Sequence, residues 1–385
     1  MRIAIVHPYP WPEVRRGAER YLDDLSRYLT GQGHDVTIVT GAPRSAEDGA
    51  APAWRTERRP DGVTIERRHR FGAGPAGRLG VTEVETFGAV ALGPLTRLRP
   101  DVVHALTPTA ALAGVLARRP TLYTVLGHPD RGQLPSQAVP RGAFRLAVRL
   151  ASATATLSRA SATALAGSVG GAAVVLPPGV HLGQFPADLG PRTGPPRILF
   201  SATLTDDRKR VELAVAAFAR LLAARPDARL ALSGQGDPGR ALATAAALGD
   251  HVAAAVDVLG PGSPAEVPGR YRAATVTVLP AEHEAFGLAL IESLASGTPA
   301  VCTPTGGMPE LIDDTVGCVA GGSTPTALGQ ALGEAVNLAA DPKTPTRCVE
   351  RASRWDWESA VGPAHERVYA DLVARRPVRG DIGPW

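Results

Sequence analysis

The length, composition and charge of the chain are those of a globular protein with more than one domain. Its length of 385 residues predicts two or three domains, and its hydrophobic content of 44% is enough for ordinary cores. The 41 basic and 37 acidic residues leave a formal net charge of only +4, so no nucleic-acid partner is predicted. Three cysteines argue against a secreted disulfide scaffold, and the longest stretch without acidic or basic residues, 160–187, is too polar to cross a membrane. We therefore expect a cytoplasmic protein without stable membrane insertion.

The first half of the sequence alternates between short apolar runs and helical patterns. The run at 3–6 suits a strand buried on both faces, and a helical pattern follows at 18–29, with leucines three and four positions apart. A second apolar run at 36–39 completes a βαβ unit. Further strands are predicted at 63–66, 102–104, 122–125 and 155–157.

A segment rich in glycine and proline at 190–196 is typical of a linker, and a second series of alternating elements follows it. The predicted strands of this half are 198–200, 229–233, 276–279 and 300–302. The predicted helices are 211–224, 240–248 and 288–296. A final helical segment at 357–375 has no partner that its periodicity identifies. The sequence therefore predicts two successive doubly wound α/β domains.

A glycine-rich segment at 234–239 matches the dinucleotide-binding pattern G-x-G-x-x-G, and Asp257 follows at close to the spacing of a ribose-binding acid. By itself this pattern indicates an NAD-dependent oxidoreductase. It lies in the middle of the second domain rather than after its first strand, however, and Pro238 removes an amide donor near the start of the next helix. A tight glycine turn at the end of a strand is the favoured interpretation, with NAD binding as the alternative.

Two glutamates flank the start of a predicted helix in the second domain. Glu284 lies in the loop after strand 276–279, and Glu292 lies eight positions later on the helix. Eight helical residues span about 12 Å, a distance that suits the two ends of a sugar nucleotide. The alternative is that Glu284 caps the helix and Glu292 is a solvated helix residue.

The residues between the two glutamates open this helix. The backbone amides of Phe286, Gly287 and Leu288 lie at its N-terminus, where unpaired N–H groups and the helix dipole favour a diphosphate. Gly287 would also let a ligand approach the backbone closely. The segment therefore predicts a binding site for a sugar nucleotide.

The segment 284–299, together with 305–310, resembles the E-x7-E signature of retaining family-4 glycosyltransferases, which have the GT-B fold. Three other segments are similar to the same family. Residues 16–20 resemble its N-terminal Gly-Gly-x-Glu loop, 178–181 its Asn-Gly-Val-Asp segment and 357–358 its closing motif. The resemblance covers nearly the whole chain.

The resemblance implies two Rossmann-like domains that face each other across a cleft. Residues 1–188 would bind the acceptor and residues 189–357 the donor, and residues 358–385 would form a helix that crosses back to the first domain. The donor would be a nucleoside-diphosphate sugar, with UDP as the favoured nucleotide. No separate cofactor is expected, and the expected assembly is a monomer or a homodimer.

The resemblance also assigns the donor site. Lys209, one of only two lysines, stands where the family has a lysine that holds the donor diphosphate, whereas Thr203 replaces the family arginine. Our hypothesis is that Arg208 or Arg210 supplies the missing guanidinium, which can clamp a phosphate bidentately. The implied donor-binding residues are Gly17, Thr203, Arg208, Lys209, Gly234, Glu284, Phe286, Gly287, Leu288 and Glu292.

No Asp-x-Asp occurs in the sequence, so the pattern of a metal-dependent glycosyltransferase is missing. The leaving diphosphate would then be neutralised by side chains and helix amides, without a metal site. The resemblance implies retention of the anomeric configuration, with departure and attack on one face of the sugar and no established protein nucleophile. It places the donor sugar at Glu284 and the ribose at Glu292. The implied catalytic residues are Glu284, Lys209 and His128.

The acceptor side departs from the family pattern. Leu126 stands in place of the histidine that the family has in a Thr-Val-His-Gly stretch, and His128 lies two positions later. His104, at the end of a predicted strand, and Glu19, in the N-terminal loop, are the other implied acceptor-binding residues alongside His128.

No motif identifies the acceptor itself. We expect a small soluble acceptor, such as a cyclitol or aminocyclitol of secondary metabolism and antibiotic biosynthesis, with a lipid or polysaccharide acceptor as the alternative. The arginine-rich stretch at 141–149 is interpreted as a solvated helix face rather than a membrane-surface segment. An NAD-dependent oxidoreductase and a non-catalytic sugar- or nucleotide-binding module are the alternatives to a transferase.

Overall fold

The structure, a computed structural model, divides the chain into two compact units. The described residues are 1–14, 16–42, 54–72, 74–378 and 380. The N-terminal unit comprises Met1–Pro178 and Trp357–Trp385, and the C-terminal unit comprises Gly179–Asp356. In the described ranges, no helix combines the length and the apolar character that are needed to cross a membrane.

The observed break after Pro178 lies earlier than the predicted domain boundary at residue 188. Val180 N donates a hydrogen bond to Trp355 O at 2.9 Å, and this contact ties the intervening segment to the C-terminal unit. The second break, after Asp356, lies beside the predicted one. The difference arises because composition marks a linker, whereas the boundary is set by which unit the segment bonds to.

A largely parallel sheet forms the centre of the N-terminal unit. Its strands are β1 (Arg2–Val6), β2 (Asp35–Gly41), β3 (Trp54–Arg58), β4 (Thr64–Arg68), β5 (Val102–Ala105), β6 (Thr121–Val125), β7 (Ala153–Thr156) and β8 (Val174–Val175). Their order is β3-β4-β2-β1-β5-β6-β7-β8, and among them β3 alone runs antiparallel to its neighbour. The chain builds outward from β1 in both directions, which puts the topological switch between β1 and β5.

Helices connect these strands, and side-chain caps begin several of them. The helices are α1 (Gly17–Gly31), α2 (Glu83–Leu98), α3 (Pro108–Leu116), α4 (Ala138–Leu150) and α5 (Arg159–Val169). The hydroxyl of Thr82 accepts from Val84 N at 3.1 Å while Thr82 N donates to Glu85 at 2.8 Å, so a capping box begins α2. The hydroxyl of Ser158 accepts from Ser161 N at 3.1 Å and begins α5 in the same way.

The C-terminal unit has a fully parallel sheet. Its strands are β9 (Arg197–Ser201), β10 (Arg229–Ser233), β11 (Val256–Gly260), β12 (Val276–Leu279), β13 (Ala300–Cys302) and β14 (Gly317–Val319). Their order is β11-β10-β9-β12-β13-β14, and every pairing is parallel. The order reverses between β9 and β12, and the crevice at the carboxyl ends of two such strands is where open α/β sheets bind ligands.

The core of the C-terminal unit lies between this sheet and its helices. The helices are α6 (Val211–Ala224), α7 (Gly239–Leu248), α8 (Asp250–Ala253), α9 (Val267–Ala273), α10 (Leu288–Ala295), α11 (Pro325–Ala339) and α12 (Thr344–Ser353). Phe200 on β9, Phe218 on α6 and Leu332 on α11 are fully buried in one cluster. The three central residues of β9 and all of β12 are buried, which explains why both segments are rich in apolar residues.

The prediction of two doubly wound α/β domains is confirmed. The sequence analysis does not predict β3, β8, β11 and β14, which all lie at an edge of a sheet. An edge strand is paired on one side only and is often short, so it needs no continuous apolar run. Strand β11, for example, is partly exposed along its whole length.

The last helical segment returns to the N-terminal unit, as the resemblance implies. A short π-helical turn leads into α13 (Gly362–Val373). His365 Nε2 on α13 lies 2.7 Å from Tyr21 Oη on α1. The end of the predicted crossing-back segment, at residue 379 and residues 381–385, lies outside the described residues.

Candidate functional site

The carboxyl ends of β9 and β12 carry most of the residues that the resemblance assigns to the donor. The loop after β9 contains Thr203, Arg208 and Lys209, and the loop after β12 contains Glu284 and leads into α10. Because β9 and β12 pair directly, both loops lie at the switch point of the C-terminal sheet. The topology therefore gathers these residues where α/β sheets bind ligands.

Lys209 and Glu284 form an ion pair at this switch point. Lys209 Nζ donates to Glu284 Oε2 at 2.5 Å, and the two side chains are 19% and 17% exposed. The carbonyl oxygen of Glu284 accepts a hydrogen bond from Gly307 N at 2.9 Å, which fixes the backbone beside the pair. Sequence reasoning predicts both residues as donor ligands but not their direct contact. This contact uses one of the three donors of the ammonium and one of the two carboxylate oxygens.

The two candidate replacements for the family arginine each form an ion pair with an acidic side chain. Arg208 donates through Nε and Nη2 to the carboxylate of Asp206, at 3.1 and 2.7 Å, and this hydrogen bonding raises the pKa of Arg208. Arg210 Nη1 donates to Glu282 Oε1 at 2.5 Å. The side chain of Arg208 is 49% exposed and that of Arg210 is 27% exposed, so Arg208 is the easier of the two to redirect to a phosphate. Thr203 is half-buried.

Helix α10 begins at the same edge of the sheet. Gly287, the residue before its first turn, has φ 109°, and an added Cβ would lie 3.2 Å from Met308 Cγ. No side chain caps the helix at Leu288, so the amides of its first turn lack a side-chain acceptor. Phe286 is 2% exposed and its ring packs against that of Trp355. The side chain of Phe286 is therefore a core residue, and only its backbone remains for the predicted donor role.

Glu292 is buried rather than solvated. It is 7% exposed, and Tyr271 Oη donates to Glu292 Oε2 at 2.8 Å. The same tyrosine oxygen lies 3.1 Å from Ser201 Oγ at the end of β9. A buried carboxylate requires hydrogen-bond donors, and Glu292 has one in Tyr271. This contact argues against the alternative that Glu292 is a solvated helix residue. Sequence analysis missed Tyr271 and Ser201, although Ser201 ends a strand at the switch point.

The glycine-rich turn after β10 has a packing role. Gly234 has φ 156°, and an added Cβ would lie 1.8 Å from the carbonyl oxygen of Ala202. A Cβ on Gly236 would lie 2.7 Å from Thr205 Oγ1. Both glycines allow this turn to pass against the loop that carries Lys209. The predicted contact of Gly234 with a donor stays a prediction.

Asp257 does not fit the dinucleotide-binding pattern. Its Oδ2 accepts from Arg229 Nε at 3.0 Å, and the two residues lie at the amino ends of β11 and β10. A ribose-binding acid would have to lie at the carboxyl edge of the sheet, close to the phosphates. The arrangement therefore argues against the alternative NAD site at 234–239.

In the N-terminal unit, Gly17 and Glu19 lie in the first turn of α1, after β1. Gly17 is the first residue of the helix, and no side chain caps it. Glu19 is 2% exposed, and its Oε1 lies 3.3 Å from Nε2 of His7, which directly follows β1. Over the described ranges, Glu19 Oε2 and His7 Nδ1 are buried without a hydrogen-bond partner. The acceptor role of Glu19 stays a prediction, and sequence analysis missed His7 despite its place after the first strand.

The two candidate histidines lie in different surroundings. His128 is half-buried in the loop after β6, with Nδ1 3.1 Å from Ser161 Oγ, and its active-site role stays a prediction. His104 is fully buried on β5, with Nδ1 2.7 Å from Tyr369 Oη and Nε2 2.7 Å from Thr124 Oγ1. Burial lowers the pKa of His104 well below its ordinary value. Both ring nitrogens are bonded inside the core, which favours a structural role, and the acceptor contact of His104 stays a prediction.

Two protein-family models match the chain, one in each half. The model of Glycosyltransferase Family 4 matches residues 15–184. The model of Glycosyl transferases group 1 matches residues 184–355. The two matches leave only the ends of the chain uncovered.

Individual proteins are similar over almost the whole length. The D-inositol 3-phosphate glycosyltransferase of Acidothermus cellulolyticus is 29% identical, over 94% of this chain and 86% of that protein. The structure of sucrose-phosphate synthase from Thermosynechococcus elongatus has a TM-score of 0.79 at 20% identity, over 97% and 99% of the two chains. That of Anabaena Alr3699/HepE in complex with UDP and glucose has a TM-score of 0.73 at 18% identity, over 96% and 99%.

The family matches and the structural similarity agree with the two sheets described above. Each half of the chain matches a glycosyltransferase domain, and each unit has the strand order of a doubly wound domain. The chain therefore belongs to the GT-B glycosyltransferases, which transfer a sugar from a nucleotide sugar.

Proposed function

We propose that this protein is a cytoplasmic, retaining hexosyltransferase that takes a hexose from a UDP-sugar without a metal ion and passes it to a hydroxyl of a small acceptor. The observation that carries the proposal is the contact of Lys209 with Glu284 beside the uncapped start of α10. An ammonium and a helix N-terminus suit a diphosphate, and a carboxylate suits the hydroxyls of the attached sugar.

The diphosphate is the ligand that opens this ion pair. Its negative charge competes with the carboxylate of Glu284 for the ammonium of Lys209, and the dipole of α10 adds to the attraction. Arg208, with its half-exposed guanidinium, turns from Asp206 to a phosphate oxygen. Glu284 is then released to accept hydrogen bonds from the hexose, while Glu292 serves the ribose.

The reaction breaks the bond between C1 of the hexose and the diphosphate, and negative charge develops on the leaving oxygen. Lys209 and the amides at the start of α10 stabilise that charge. The acceptor hydroxyl forms its bond to C1 on the face from which the diphosphate leaves and gives its proton to the departing diphosphate oxygen, so the anomeric configuration is retained. His128 and Glu19 belong to the acceptor side in this proposal, as the sequence pattern suggests.

A cyclitol is the acceptor class that we propose. The name of the Acidothermus relative, D-inositol 3-phosphate glycosyltransferase, supports a cyclitol, and the UDP bound by Alr3699/HepE supports a uridine nucleotide. An aminocyclitol of secondary metabolism, as in antibiotic biosynthesis, has the same ring with several hydroxyls. A lipid or polysaccharide acceptor is the alternative that the same assay distinguishes.

A donor panel tests the proposal. UDP-, GDP- and dTDP-hexoses are assayed in EDTA for hydrolysis and for transfer to inositol, to an aminocyclitol and to a polysaccharide, and a UDP-hexose is expected to react fastest. Lys209→Ala is expected to lower kcat/KM about a hundredfold, because a preorganised donor to a developing negative charge is typically worth that much. Lys343→Ala, which removes the other lysine at an exposed position, is the matched control and should leave kcat/KM unchanged.

Two results would contradict the proposal. One is full activity of Lys209→Ala with a sugar nucleotide. The other is a thermal-shift screen in which NAD stabilises the protein and no nucleoside diphosphate does. Loss of transfer in EDTA, restored by a divalent cation, would overturn the metal-independent mechanism specifically.

A further inference from the structure

The middle of the N-terminal unit has an asymmetric charge distribution. Between residues 102 and 178 there are seven arginines and a single acid, Asp130, whereas the whole chain has a net charge of only +4. This segment is therefore more positive than the complete protein. It contains α3 and α4, which pack against each other.

Helix α4 exposes apolar residues beside those that it buries. Phe144 and Ala147 face the core and are 7% and 0% exposed. Val139, Leu146 and Leu150 are 42%, 50% and 52% exposed, and their spacings of seven and four positions align them in one stripe along the helix. The stripe lies next to the buried face rather than within it.

Arginines line the outer side of this stripe. Arg145 and Arg149 are exposed, and each directly precedes a leucine of the stripe, about 100° away around the helix. Within the part of the chain that the structure describes, their guanidiniums have no hydrogen bond or ion pair. Arg141 on the same helix differs, because it donates to the carbonyl oxygens of Pro135 and Ser136. The two unpaired arginines are therefore available to an anionic partner.

The end of α3, a helix that packs against α4, also exposes an apolar residue and an arginine. Leu116 is 69% exposed, and the exposed Arg118 follows it. Thr121 N donates to Ser152 Oγ at 3.1 Å and β6 pairs with β7, so the ends of α3 and α4 lie at the same edge of the sheet. We name this region the α4 surface; its residues are Leu116, Arg118, Val139, Arg145, Leu146, Arg149 and Leu150.

We propose that the α4 surface docks the protein on anionic lipid bilayers. The leucines enter the boundary between headgroups and acyl chains, as the apolar face of an interfacial helix does. The arginines reach the lipid phosphates, and their aliphatic stems remain in the apolar layer. The sequence indicates a helix face here but not that Leu146 and Leu150 lie outside the core, so in this proposal a membrane-surface segment replaces the expected solvated face.

A second copy of this chain fits the α4 surface less well. A two-fold contact would bring the same arginine-bearing surface of two copies together, and like charges across an interface are unfavourable. A bilayer that contains anionic lipid offers the opposite charge over the whole area. Charge complementarity therefore selects the lipid surface.

Vesicle binding by the full chain tests this inference. No sugar donor or acceptor is added, so the result is independent of the proposed glycosyl transfer. The protein is expected to co-sediment with vesicles of phosphatidylcholine and phosphatidylglycerol but not with vesicles of pure phosphatidylcholine. Salt is expected to release the bound protein from the anionic vesicles. Replacement of Arg118, Arg145 and Arg149 by glutamine is expected to weaken the partition coefficient about fivefold per arginine.

The control removes the same charge from the C-terminal unit. Arg220, Arg272 and Arg354 are exposed there, and their replacement by glutamine should leave vesicle binding close to that of the unaltered protein. The double variant L146S/L150S tests the apolar stripe and should bind weakly while unfolding at the same temperature, because both leucines are half exposed.

Three outcomes would overturn the inference. They are equal binding to neutral and anionic vesicles, equal losses in the two arginine triple variants, and no vesicle binding combined with a dimer in light scattering that L146S/L150S dissociates. The last result would assign the α4 surface to contact between copies of the chain.

Discussion

Tyr271, on α9 of the C-terminal unit, contacts the end of a strand and a buried carboxylate. It is 1% exposed, and its hydroxyl lies 2.8 Å from Glu292 Oε2 and 3.1 Å from Ser201 Oγ. Thr298 Oγ1 donates to the carbonyl oxygen of Tyr271 at 2.8 Å, which fixes the backbone at this point. Tyr271 thereby fixes the orientation of the Glu292 carboxylate, for which ribose binding is proposed above.

The substitution Tyr271→Phe keeps the ring and removes the hydroxyl. We expect KM for a UDP-hexose to rise about tenfold with little change in kcat, because a hydrogen bond to a charged group contributes in that range and the ribose is remote from the bond that breaks. The preference for UDP over its deoxyribose analogues should fall in parallel. Steady-state kinetics and nucleotide titrations measure both effects.

The control for Tyr271→Phe is Tyr123→Phe, which removes the hydroxyl of another buried tyrosine, on β6 of the N-terminal unit. It should leave KM for the donor unchanged. If Tyr271→Phe lowered only the unfolding temperature and kept KM and nucleotide preference, Tyr271 would be a packing residue without influence on Glu292.

At the scale of elements, an aromatic cluster holds α13 on the N-terminal unit. The ring centroid of His365 lies 5.5 Å from that of Trp357 and 5.8 Å from that of Tyr21, and all three residues are buried. Burial lowers the pKa of His365 to about 4, and it also lowers the pKa of His104, on the neighbouring strand β5, well below its ordinary value. Both histidines are therefore neutral in the folded unit at physiological pH.

The stability of the N-terminal unit is expected to fall as the pH decreases from about 6.5 to about 4. In the unfolded chain His365 binds a proton near pH 6.5, whereas in the folded unit it does so only near pH 4. Over this window the unfolded state binds more protons, so protons favour unfolding. The full window corresponds to about 3 kcal/mol for His365 alone. Urea unfolding at several pH values, followed by tryptophan fluorescence, measures the dependence.

The variant His365→Gln provides the comparison, because glutamine does not titrate. It is expected to be less stable at neutral pH but to lose less stability between pH 6.5 and pH 4. An identical pH dependence in the two proteins would show that His365 takes up its proton in the folded state as easily as in the unfolded chain.

The sequence predicts those elements and residues whose signal is local. Strands β9 and β12 are rich in apolar residues, and Glu284 and Lys209 lie in short segments that the resemblance identifies. The contact of Tyr271 with Glu292 joins side chains from α9 and α10, and no spacing in the sequence encodes it. The burial of His104 depends in the same way on α13, which comes from the far end of the chain.

At the scale of the whole molecule, the N-terminal unit is discontinuous in sequence, and the C-terminal unit is inserted within it. Val180 and Asp356 pair in an isolated parallel bridge, so the chain enters and leaves the C-terminal unit at neighbouring positions. Domains with adjacent ends and their own cores are typically able to fold alone. The predicted donor-binding residues all lie inside the inserted unit, apart from Gly17.

Separate fragments test this organisation. Residues 179–356 are expected to fold alone and to bind UDP with an affinity that Lys209→Ala weakens, because the sheet, the core and the ion pair with Glu284 are all contained in them.

Residues 1–178 alone are expected to unfold at a lower temperature than the same residues joined by a short glycine-serine linker to 357–378. The fragment 1–178 lacks the α13 side chains that contact Tyr21 and His104, so these buried polar groups lose their partners. Thermal unfolding and UDP titration measure both effects. Equal stability of the two N-terminal fragments would mean that α13 covers the unit without contributing to its fold.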